Sequence, residues 1–512
     1  MTDIADLEPS VASRAGAQPH AAAAPPAEHF DVLVVGAGIS GVGAAAHMQM
    51  QTPDKTFVVL ETKDSFGGSW HTHRYPGVRS DSDLFTFGYS FKAWTGAPIA
   101  AGDEILKYMG EVIAEHDLAR HIRYGHTITR AAWSSEDNLW RVEATKLATG
   151  ETVRFTCGFL WMAQGYFRQS EGYTPEWPGM ADFKGQIVHP QTWPQDLDYK
   201  DKRVIVIGSG ATAATLVPSI AADVAHVTML QRTPTYFVAG RNANPLADTL
   251  RQLEINEDWI HEIVRRQLLS LGGVITKRSF EQPEEMRNEL LAGVRQHLPE
   301  ELVEKHFTPS YRPWQQRIAF MPNGDLFEAI KSGKADVVTD EIETFTETGI
   351  RTKSGQEIEA DIIATATGFN LNVLGDIAFE IDGAPLDFAE TVTYRGMMFT
   401  GVPNMVWVFG YFRASWTLRT ELVANFVCRL LNHMDAKQAR RVDVALRASE
   451  RDMPLGGWVE PDNFNPGYLM REMHKLPKAG PTREWRHTQD FWGDKDEFPK
   501  IDLDDEVFVY GG

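Results

Sequence analysis

The sequence predicts an α/β protein with two doubly wound parallel sheets and a helical insertion. Residues 30–35 form a short apolar run that ends at glycines, which is typical of a buried parallel strand. Residues 203–207 repeat this pattern, and an Ala-rich helical stretch follows them. Between residues 242 and 305 the apolar residues recur at helical spacing among many Glu and Arg, with Gly272 and Gly273 predicted to break the helix. Two strand-glycine-helix units imply two dinucleotide-binding domains of the Rossmann type.

Length and composition support a large folded protein. At roughly 150 residues per domain, 512 residues suggest about three domains, and a hydrophobic fraction of 43% suffices for their cores. The 50 basic and 70 acidic residues give a formal charge of −20. This balance, without a basic run, disfavours nucleic acid and anionic-lipid partners. Any bound anion must therefore be held locally.

The cysteines and the amino-terminal segment indicate a cytoplasmic setting. Cys157 and Cys428 are the only cysteines, so the sequence contains no Cys-x-x-Cys pair and no disulfide framework. No apolar run reaches the length of a membrane-spanning helix. Residues 1–28, rich in Ala and Pro with three acidic residues, are unlike a signal peptide and are predicted to be a disordered tail. The sequence leaves the oligomeric state open.

The first glycine motif predicts a site for FAD or NAD. It consists of small residues directly after the first strand: Gly36, Gly38, Ser40 and Gly41. Such residues permit a tight turn and a close approach of the backbone to a pyrophosphate at a helix N-terminus. Glu61 ends the next strand, where a carboxylate accepts hydrogen bonds from ribose hydroxyls and repels a 2′-phosphate. An ordinary tight turn is the alternative interpretation.

The second motif predicts a site for NADPH. It again combines small and hydroxyl residues: Gly208, Ser209, Gly210, Thr212 and Ala213. At the end of its next strand, Arg232 and Thr233 take the place that Glu61 has in the first unit. A guanidinium beside a hydroxyl suits a 2′-phosphate, although a surface arginine is the alternative. Together the two motifs indicate a flavin reduced by NADPH.

A glycine-rich loop after the second strand also points to a flavin. Gly68, Ser69 and Trp70 lead into residues 74–81, a segment suited to lie along an extended cofactor, or else a tight surface loop. His71 and His73 flank this segment, but no third ligand has suitable spacing, so no metal site is predicted.

Between the two units lies the pattern Phe-x-Gly-x-x-x-His-x-x-x-Trp-Pro. Its fixed positions are Phe183, Gly185, His189, Trp193 and Pro194. Here the chain resembles the type I Baeyer-Villiger monooxygenases at every fixed position, and the resemblance extends over residues 31–485. Segments 311–317, 322–327, 394–398 and 414–418 look most like the branch that contains the ethionamide-activating monooxygenase.

The resemblance implies an NADPH- and O2-dependent enzyme that converts ketones to esters or lactones through a C4a-peroxyflavin. It implies a small-molecule ketone or thioether substrate, linear aliphatic or aryl in preference to a small ring, with sulfoxidation as a side activity of the same oxidant. The alternative is a flavin-containing S- or N-oxygenase, which uses the protonated oxidant as an electrophile. A non-oxygenating pyridine-nucleotide reductase is less favoured, because a disulfide reductase needs paired cysteines near the flavin and the spacing of Cys157 and Cys428 does not supply them.

The resemblance also assigns residue roles. Arg317 is the cation that supports the anionic oxidant, and Asp81, which is also expected beside the FAD, orients its guanidinium; a structural ion pair is the alternative. His189 is expected to act as an auxiliary linker residue or as a hydrogen-bonded structural histidine. Many family members place Lys directly before the catalytic Arg, where this chain has Gln316. The NADPH preference then depends more on Arg232 and Thr233.

These motifs divide the chain into six segments. Residues 1–28 are the tail, and residues 29–165 with 371–512 form a discontinuous FAD domain that includes a C-terminal tail. Residues 166–235 and 317–370 form the NADPH domain. Residues 236–316 form the helical insertion within it.

Overall fold

The computed structural model describes residues 27–512, so the predicted tail lies outside the described residues except for its last two, and Glu28 already begins the first strand. The strands alternate with helices around the two glycine loops, whereas those of residues 122–207 and 335–407 follow one another without an intervening α-helix. They are β1 (Glu28–Val35), β2 (Phe57–Leu60), β3 (Ile122–Arg123), β4 (His126–Ser134), β5 (Leu139–Lys146), β6 (Thr152–Met162), β7 (Phe167–Gly172), β8 (Gln186–Val188), β9 (Arg203–Ile207), β10 (His226–Gln231), β11 (Phe237–Gly240), β12 (Ala319–Pro322), β13 (Ala335–Thr339), β14 (Ile342–Thr346), β15 (Gly349–Thr352), β16 (Glu357–Glu359), β17 (Ile362–Thr365), β18 (Phe369–Leu371), β19 (Ala378–Ile381), β20 (Ala384–Pro385), β21 (Thr393–Tyr394), β22 (Met398–Phe399), β23 (Met405–Trp407), β24 (Arg441–Val444) and β25 (Phe508–Gly511).

The helices cover the sheets and form the insertion. They are α1 (Ile39–Gln51), α2 (Ser69–Thr72), α3 (Leu84–Phe87), α4 (Gly102–Glu115), α5 (Ala211–Ile220), α6 (Pro245–Gln252), α7 (Glu257–Glu281), α8 (Pro283–Arg295), α9 (Glu300–His306), α10 (Asp325–Lys331), α11 (Trp416–Lys437), α12 (Gly467–Glu472) and α13 (Phe491–Glu497). Within residues 27–512, no helix is long and apolar enough to cross a bilayer.

The larger sheet is built around β1. Its strand order is β20-β19-β4-β5-β6-β1-β2-β3, and β23 pairs with β6. β1 lies parallel to both β2 and β6, with Val35 opposite Leu60 and Met162. The last four residues of β1 are buried, as expected of a strand with both faces covered. The carboxyl ends of β1 and β2 therefore meet the glycine loop at one sheet edge.

The smaller sheet is built around β9 and has the order β13-β10-β9-β17-β8. All its pairings are parallel, and Ile207 lies opposite Leu230 and Thr365. α5 follows β9 directly, as the Ala-rich pattern predicts. The predicted fold class of two doubly wound sheets with a helical insertion is confirmed.

The insertion differs from its prediction in two respects. Gly272 and Gly273 do not end a helix, because α7 continues through both of them. The indole of Trp492 lies against these glycines, and a Cβ on Gly273 would come within 3.1 Å of it. The segment predicted as helical also begins with a strand, since β11 pairs in parallel with β12. Tertiary packing thus overrides the weak helix propensity of glycine.

The insertion packs into the hydrophobic cores of both sheets. Ala247, Ile260 and Val264 belong to the core beneath β1, whereas Leu291 and Val303 belong to the core beneath β9. The strands β7 and β18 form an antiparallel pair where the chain passes between the two sheets. The two sheet units therefore share a helical wall as well as this connecting pair.

Candidate active site

The first glycine loop lies against the loop that follows β2. Gly68 has a φ of +55°, and a Cβ there would lie 3.0 Å from the Cα of Gly38. Only a residue without a side chain allows the two backbones to approach this closely. Gly41 lies in the first turn of α1, where a Cβ would overlap the carbonyl oxygen of Gly36. The glycines thus close the strand-to-helix turn and leave its outer surface free of side chains.

A cavity of about 550 Å³ opens at this edge of the larger sheet. Most residues predicted to bind FAD line it: Gly36, Gly38, Ser40, Glu61, Gly68, Ser69 and Trp70. Glu61 is 6% exposed and accepts hydrogen bonds from the backbone N–H groups of Ala37, at 2.7 Å, and Lys63, at 2.8 Å. These bonds hold the Glu61 side chain at the end of β2, and its oxygens have further lone pairs for ribose hydroxyls. The residues present therefore fit the adenosine part of FAD.

Three cavity residues have no site role in the sequence prediction. Tyr166 stacks on Trp416 with ring centroids 4.9 Å apart, and the Trp416 indole N–H donates to Ser40 Oγ at 2.7 Å. Gln164 lines the cavity with both side-chain amide atoms buried and unbonded. The segment containing Trp416 stands out as a motif in the sequence, but nothing in the sequence indicates that it faces the same cavity as Tyr166 and Gln164.

Arg317 and Asp81 form an ion pair, as predicted. Arg317 Nε lies 2.9 Å from Asp81 Oδ2, although 236 residues separate them. The Asp81 carboxylate raises the pKa of Arg317, and this effect outweighs the loss of hydration that lowers it. The guanidinium is surrounded by protein, yet 42% of the side chain stays accessible, the combination expected of a group lining a cleft. Neither Arg317 nor Asp81 is among the residues lining the 550 Å³ cavity.

Two tyrosines accompany this pair. The charge of Arg317 acts on the phenols of both Tyr166 and Tyr468, whose pKa values are raised mainly by burial. Since Tyr166 also lines the cavity, the ion pair lies next to the cavity wall. A permanent cation adjacent to a largely apolar cleft is suited to stabilise negative charge on oxygen.

His189 occupies the junction between the two sheet units. Its Nε2 lies 3.1 Å from the carbonyl oxygen of Gly368, and Nδ1 accepts from the Gln191 N–H at 3.1 Å. Burial lowers the pKa of His189, so the ring is neutral at neutral pH and Nε2 carries the proton. A Cβ on Gly172 would overlap the imidazole ring. His189 therefore connects the end of β7, through its contact with Gly172, to the segment after β17, through its hydrogen bond to Gly368.

The rest of the Trp-Pro pattern is structural. Phe183 and Trp193 are buried, in the cores on opposite faces of the smaller sheet. Gly185 approaches the Asp361 carbonyl so closely that a Cβ would overlap it. Pro194 accepts a backbone hydrogen bond from Leu197 at 3.3 Å.

The second glycine loop follows β9 and repeats the geometry of the first. Gly208 has a φ of +130°, and a Cβ there would overlap the carbonyl oxygen of Ala366, whereas a Cβ on Gly210 would meet no heavy atom within 4 Å. Ser209 Oγ bonds to the Thr233 carbonyl at 3.0 Å and to Thr235 Oγ1 at 2.9 Å. The loop is thus joined to the end of β10.

The predicted selectivity residues lie at the end of β10. Arg232 is exposed and Thr233 follows it, half-buried, whereas Thr212 and Ala213 lie in the first turn of α5. The charge of Arg232 lowers the pKa of nearby Glu341, although Lys353 has the larger effect. Gln316 is half-buried and immediately precedes Arg317. An accessible cation at this strand end fits a 2′-phosphate.

No metal or disulfide chemistry emerges from the described residues. His71 lies 2.9 Å from Asp64, and the ring of His73 stacks on Phe369. Across residues 27–512, no cluster of three or more His, Cys, Asp or Glu side chains is suited to hold a metal ion. Cys157 and Cys428 are buried free thiols in different cores.

Comparison with protein families agrees with this geometry. A family described as "NAD(P)-binding Rossmann-like domain" matches residues 34–100, and one described as "Flavin-binding monooxygenase-like" matches residues 98–247. The first match covers the first glycine loop and the glycine-rich loop after β2. The second includes the Trp-Pro pattern and the second glycine loop.

Full-length relatives identify the class. The chain is 45% identical over 471 residues to the FAD-containing monooxygenase EthA of Mycolicibacterium smegmatis, covering 91% of this chain and 94% of the relative. It is 45% identical over 482 residues to EthA of Mycobacterium tuberculosis, covering 94% and 97%. The chain belongs to the family of FAD-containing monooxygenases. It is an enzyme that uses FAD and NADPH, and the branch indicated by the sequence is confirmed.

Solved structures share the whole fold. A steroid monooxygenase bound to NADP superposes with a TM-score of 0.74 at 23% identity, covering 94% of this chain and 99% of that chain. OTEMO in complex with FAD and NADP gives a TM-score of 0.72 at 20% identity, covering 95% and 100%. The predicted two-dinucleotide fold is thereby confirmed across nearly the entire chain.

Proposed function

We propose that this flavin monooxygenase converts ketones to esters or lactones, with sulfoxidation as a side activity. The Arg317–Asp81 ion pair beside the cavity wall carries the proposal. When bound, reduced FAD supplies the electrons that activate O2. Attack on a ketone carbonyl requires a nucleophilic, anionic oxidant, and a buried anion needs a fixed cation. Arg317 is protonated at every relevant pH and supplies that charge.

Each member of the pair has a separate task. With FAD bound, the guanidinium of Arg317 would stabilise the negative charge that develops on oxygen during ketone oxygenation. The Asp81 carboxylate lies 2.9 Å from Nε and holds the guanidinium in place by its charge, and no N–H group of Arg317 donates to another of residues 27–512. Asp81 is therefore a positioning residue. His189 is also a positioning residue, since it holds the junction between the two dinucleotide units.

The cofactor assignment follows the two glycine loops. We assign residues 29–165 and 371–512 to the FAD domain and residues 166–235 and 317–370 to the NADPH domain, with 236–316 as the insertion. Glu61 and the loop around Gly68 would hold FAD in the 550 Å³ cavity. Gly210 and Arg232 would hold the pyrophosphate and 2′-phosphate of NADPH. The exposed position of Arg232 supports this assignment.

Product analysis under ¹⁸O2 tests the proposal. The holoenzyme is supplied with NADPH and either a linear methyl ketone or methyl phenyl sulfide, and products are identified by mass spectrometry. We expect one ¹⁸O atom in an ester and a stoichiometry near one ester per NADPH. If only the sulfide is oxygenated, the enzyme is an S-oxygenase and the ketone assignment is wrong. If NADPH is consumed without labelled product from either substrate class, the assignment of both reactions fails.

A further inference from the structure

Two arginines beside the Arg317 loop lack acidic partners. Arg312 donates to the carbonyl oxygens of Asp462, at 3.1 Å, and Asn463, at 3.0 Å. Arg413 donates to the Trp314 carbonyl at 3.2 Å and to Asn463 Oδ1 at 2.6 Å. Within residues 27–512, no carboxylate lies within 4.0 Å of either guanidinium. All their contacts are with neutral groups.

The two cations also lie close to each other. Both guanidiniums stack on the ring of Phe280, at 4.2 Å for Arg312 and 4.9 Å for Arg413. Burial lowers the pKa of Arg413 to about 10, and the charge of Arg312 adds to this effect. Elsewhere in the chain, the buried Arg265 and Arg419 each face a carboxylate, at 3.0 and 2.8 Å. A partly desolvated pair of cations without a carboxylate costs stability.

Free donors remain on both side chains. Arg413 Nη1 and Arg312 Nε make no hydrogen bond to any of the described residues, and neither is a fully buried, unbonded atom. Each arginine therefore keeps one guanidinium nitrogen without an acceptor among the described residues, and two such donors match the two oxygens of a carboxylate.

The pair is joined to the segments that carry Arg317 and Trp416, although neither arginine lines the 550 Å³ cavity itself. Arg413 precedes Trp416, which lines the flavin cavity, by three residues, and it holds the carbonyl of Trp314, three residues before Arg317. The Tyr311 hydroxyl donates a hydrogen bond to the Pro234 carbonyl, near the second glycine loop. The guanidinium of the next residue, Arg312, donates instead to backbone carbonyls of residues 462 and 463. Successive side chains in this extended segment thus face opposite ways, and Arg312 faces away from the end of β10.

We propose that Arg312 and Arg413 bind the carboxylate of the substrate, so that the enzyme acts on oxo acids, linear ketones that carry a carboxylate. This inference rests on the proposed ketone oxygenation and names its substrate class. The net charge of −20 opposes anionic ligands at long range, so a local pair of cations must hold the anion. Hydrogen bonds to charged groups contribute enough free energy for a preference of about tenfold to a hundredfold over a neutral analogue.

Matched substrates test the inference. kcat/KM is measured for a series of linear methyl-ketone carboxylates and for their methyl esters, with the wild type, Arg312→Gln and Arg266→Gln. Arg266 lies on α7 and forms an exposed pair with Glu262, so its variant changes the net charge equally. We expect the wild type and Arg266→Gln to prefer the acid at least tenfold and Arg312→Gln to lose this ratio. An acid-to-ester ratio near one in the wild type overturns the inference.

A second measurement does not depend on turnover or on a variant that folds. Binding of decanoate and methyl decanoate to the wild-type holoenzyme is measured by calorimetry, at low and high salt. Tighter, salt-sensitive binding of decanoate is expected; equal binding of both compounds overturns the inference even when neutral ketones are oxygenated. If decanoate binds as expected but no ketone is oxygenated, the proposed function fails and the anion site stands. If Arg312→Gln lowers only the NADPH-to-NADH ratio, the site holds a cofactor phosphate and the substrate assignment is wrong.

Discussion

At the scale of single residues, the site depends on charges that the fold brings together from distant segments. Arg317 and Asp81 are 2.9 Å apart, and the charge of the carboxylate raises the pKa of the guanidinium. A lysine at this position would keep the charge but lose the planar fork of donors. The geometry of the guanidinium therefore matters as much as its charge.

Replacing Arg317 separates NADPH oxidation from oxygenation. In Arg317→Ala we expect ester formation to fall by at least about a hundredfold, because one preorganised donor at developing negative charge typically contributes 10²–10³ in rate. NADPH oxidation should continue, with the reducing equivalents released as hydrogen peroxide. The measurement is ester and peroxide per NADPH consumed. Arg295→Ala removes an exposed arginine paired with Glu300 at 2.7 Å and should match the wild type.

We expect Arg232 to set the preference for the 2′-phosphate, because Gln316 stands where many family members have a lysine. Arg232→Gln should lower the ratio of kcat/KM for NADPH to that for NADH by about tenfold or more, since a charge-assisted contact is lost. Gln316→Lys adds a cation next to Arg317 and should raise the same ratio. Steady-state kinetics with both coenzymes measure it. An unchanged ratio in Arg232→Gln means that the arginine is only a surface residue.

At the scale of elements, the two glycines of the second loop are required for different physical reasons. Gly208→Ala places a Cβ at a φ of +130° against the Ala366 carbonyl, so we expect a lower melting temperature and a free energy of unfolding reduced by about 1–3 kcal/mol. Gly210→Ala meets no heavy atom within 4 Å, so stability should be retained while the KM for NADPH rises about tenfold. Thermal unfolding and NADPH kinetics distinguish the two effects. Equal melting temperatures in both variants would contradict the assignment for Gly208.

The elements also show how much of the fold can be predicted from the sequence. The strands β1 and β9 and the turns after them are predictable, because buried parallel strands and glycine turns have local signals. The continuity of α7 is not, since it depends on Trp492 packing on Gly273 from a segment more than 200 residues away. The stacking of Tyr166 on Trp416 is equally non-local. Motifs predicted the ion pair of Arg317, whereas the uncompensated cations Arg312 and Arg413 become visible only when their neighbours are known.

At the scale of the whole molecule, the insertion supports the flavin cavity from outside. Arg265 of α7 donates to the carbonyl oxygens of Phe85, at 2.9 Å, and Gly88, at 2.8 Å, at the two ends of α3. Phe87 of α3 lines the cavity. The same guanidinium pairs with Glu421 of α11, the helix that begins at Trp416. One buried side chain thus joins the insertion to two elements of the cavity wall.

Removing one partner of this buried pair should therefore weaken both the fold and FAD retention. Arg265→Met leaves Glu421, only 9% exposed, without its cation, and we expect a loss of about 3–5 kcal/mol in the free energy of unfolding. The double variant Arg265→Met/Glu421→Met should be more stable than Arg265→Met, because no uncompensated charge remains. The neighbouring exposed Arg266→Met should change stability by less than about 0.5 kcal/mol. Denaturant unfolding measures the stability of all three variants, and FAD fluorescence measures cofactor release. Equal stabilities of Arg265→Met and Arg266→Met would show that the insertion does not depend on this pair.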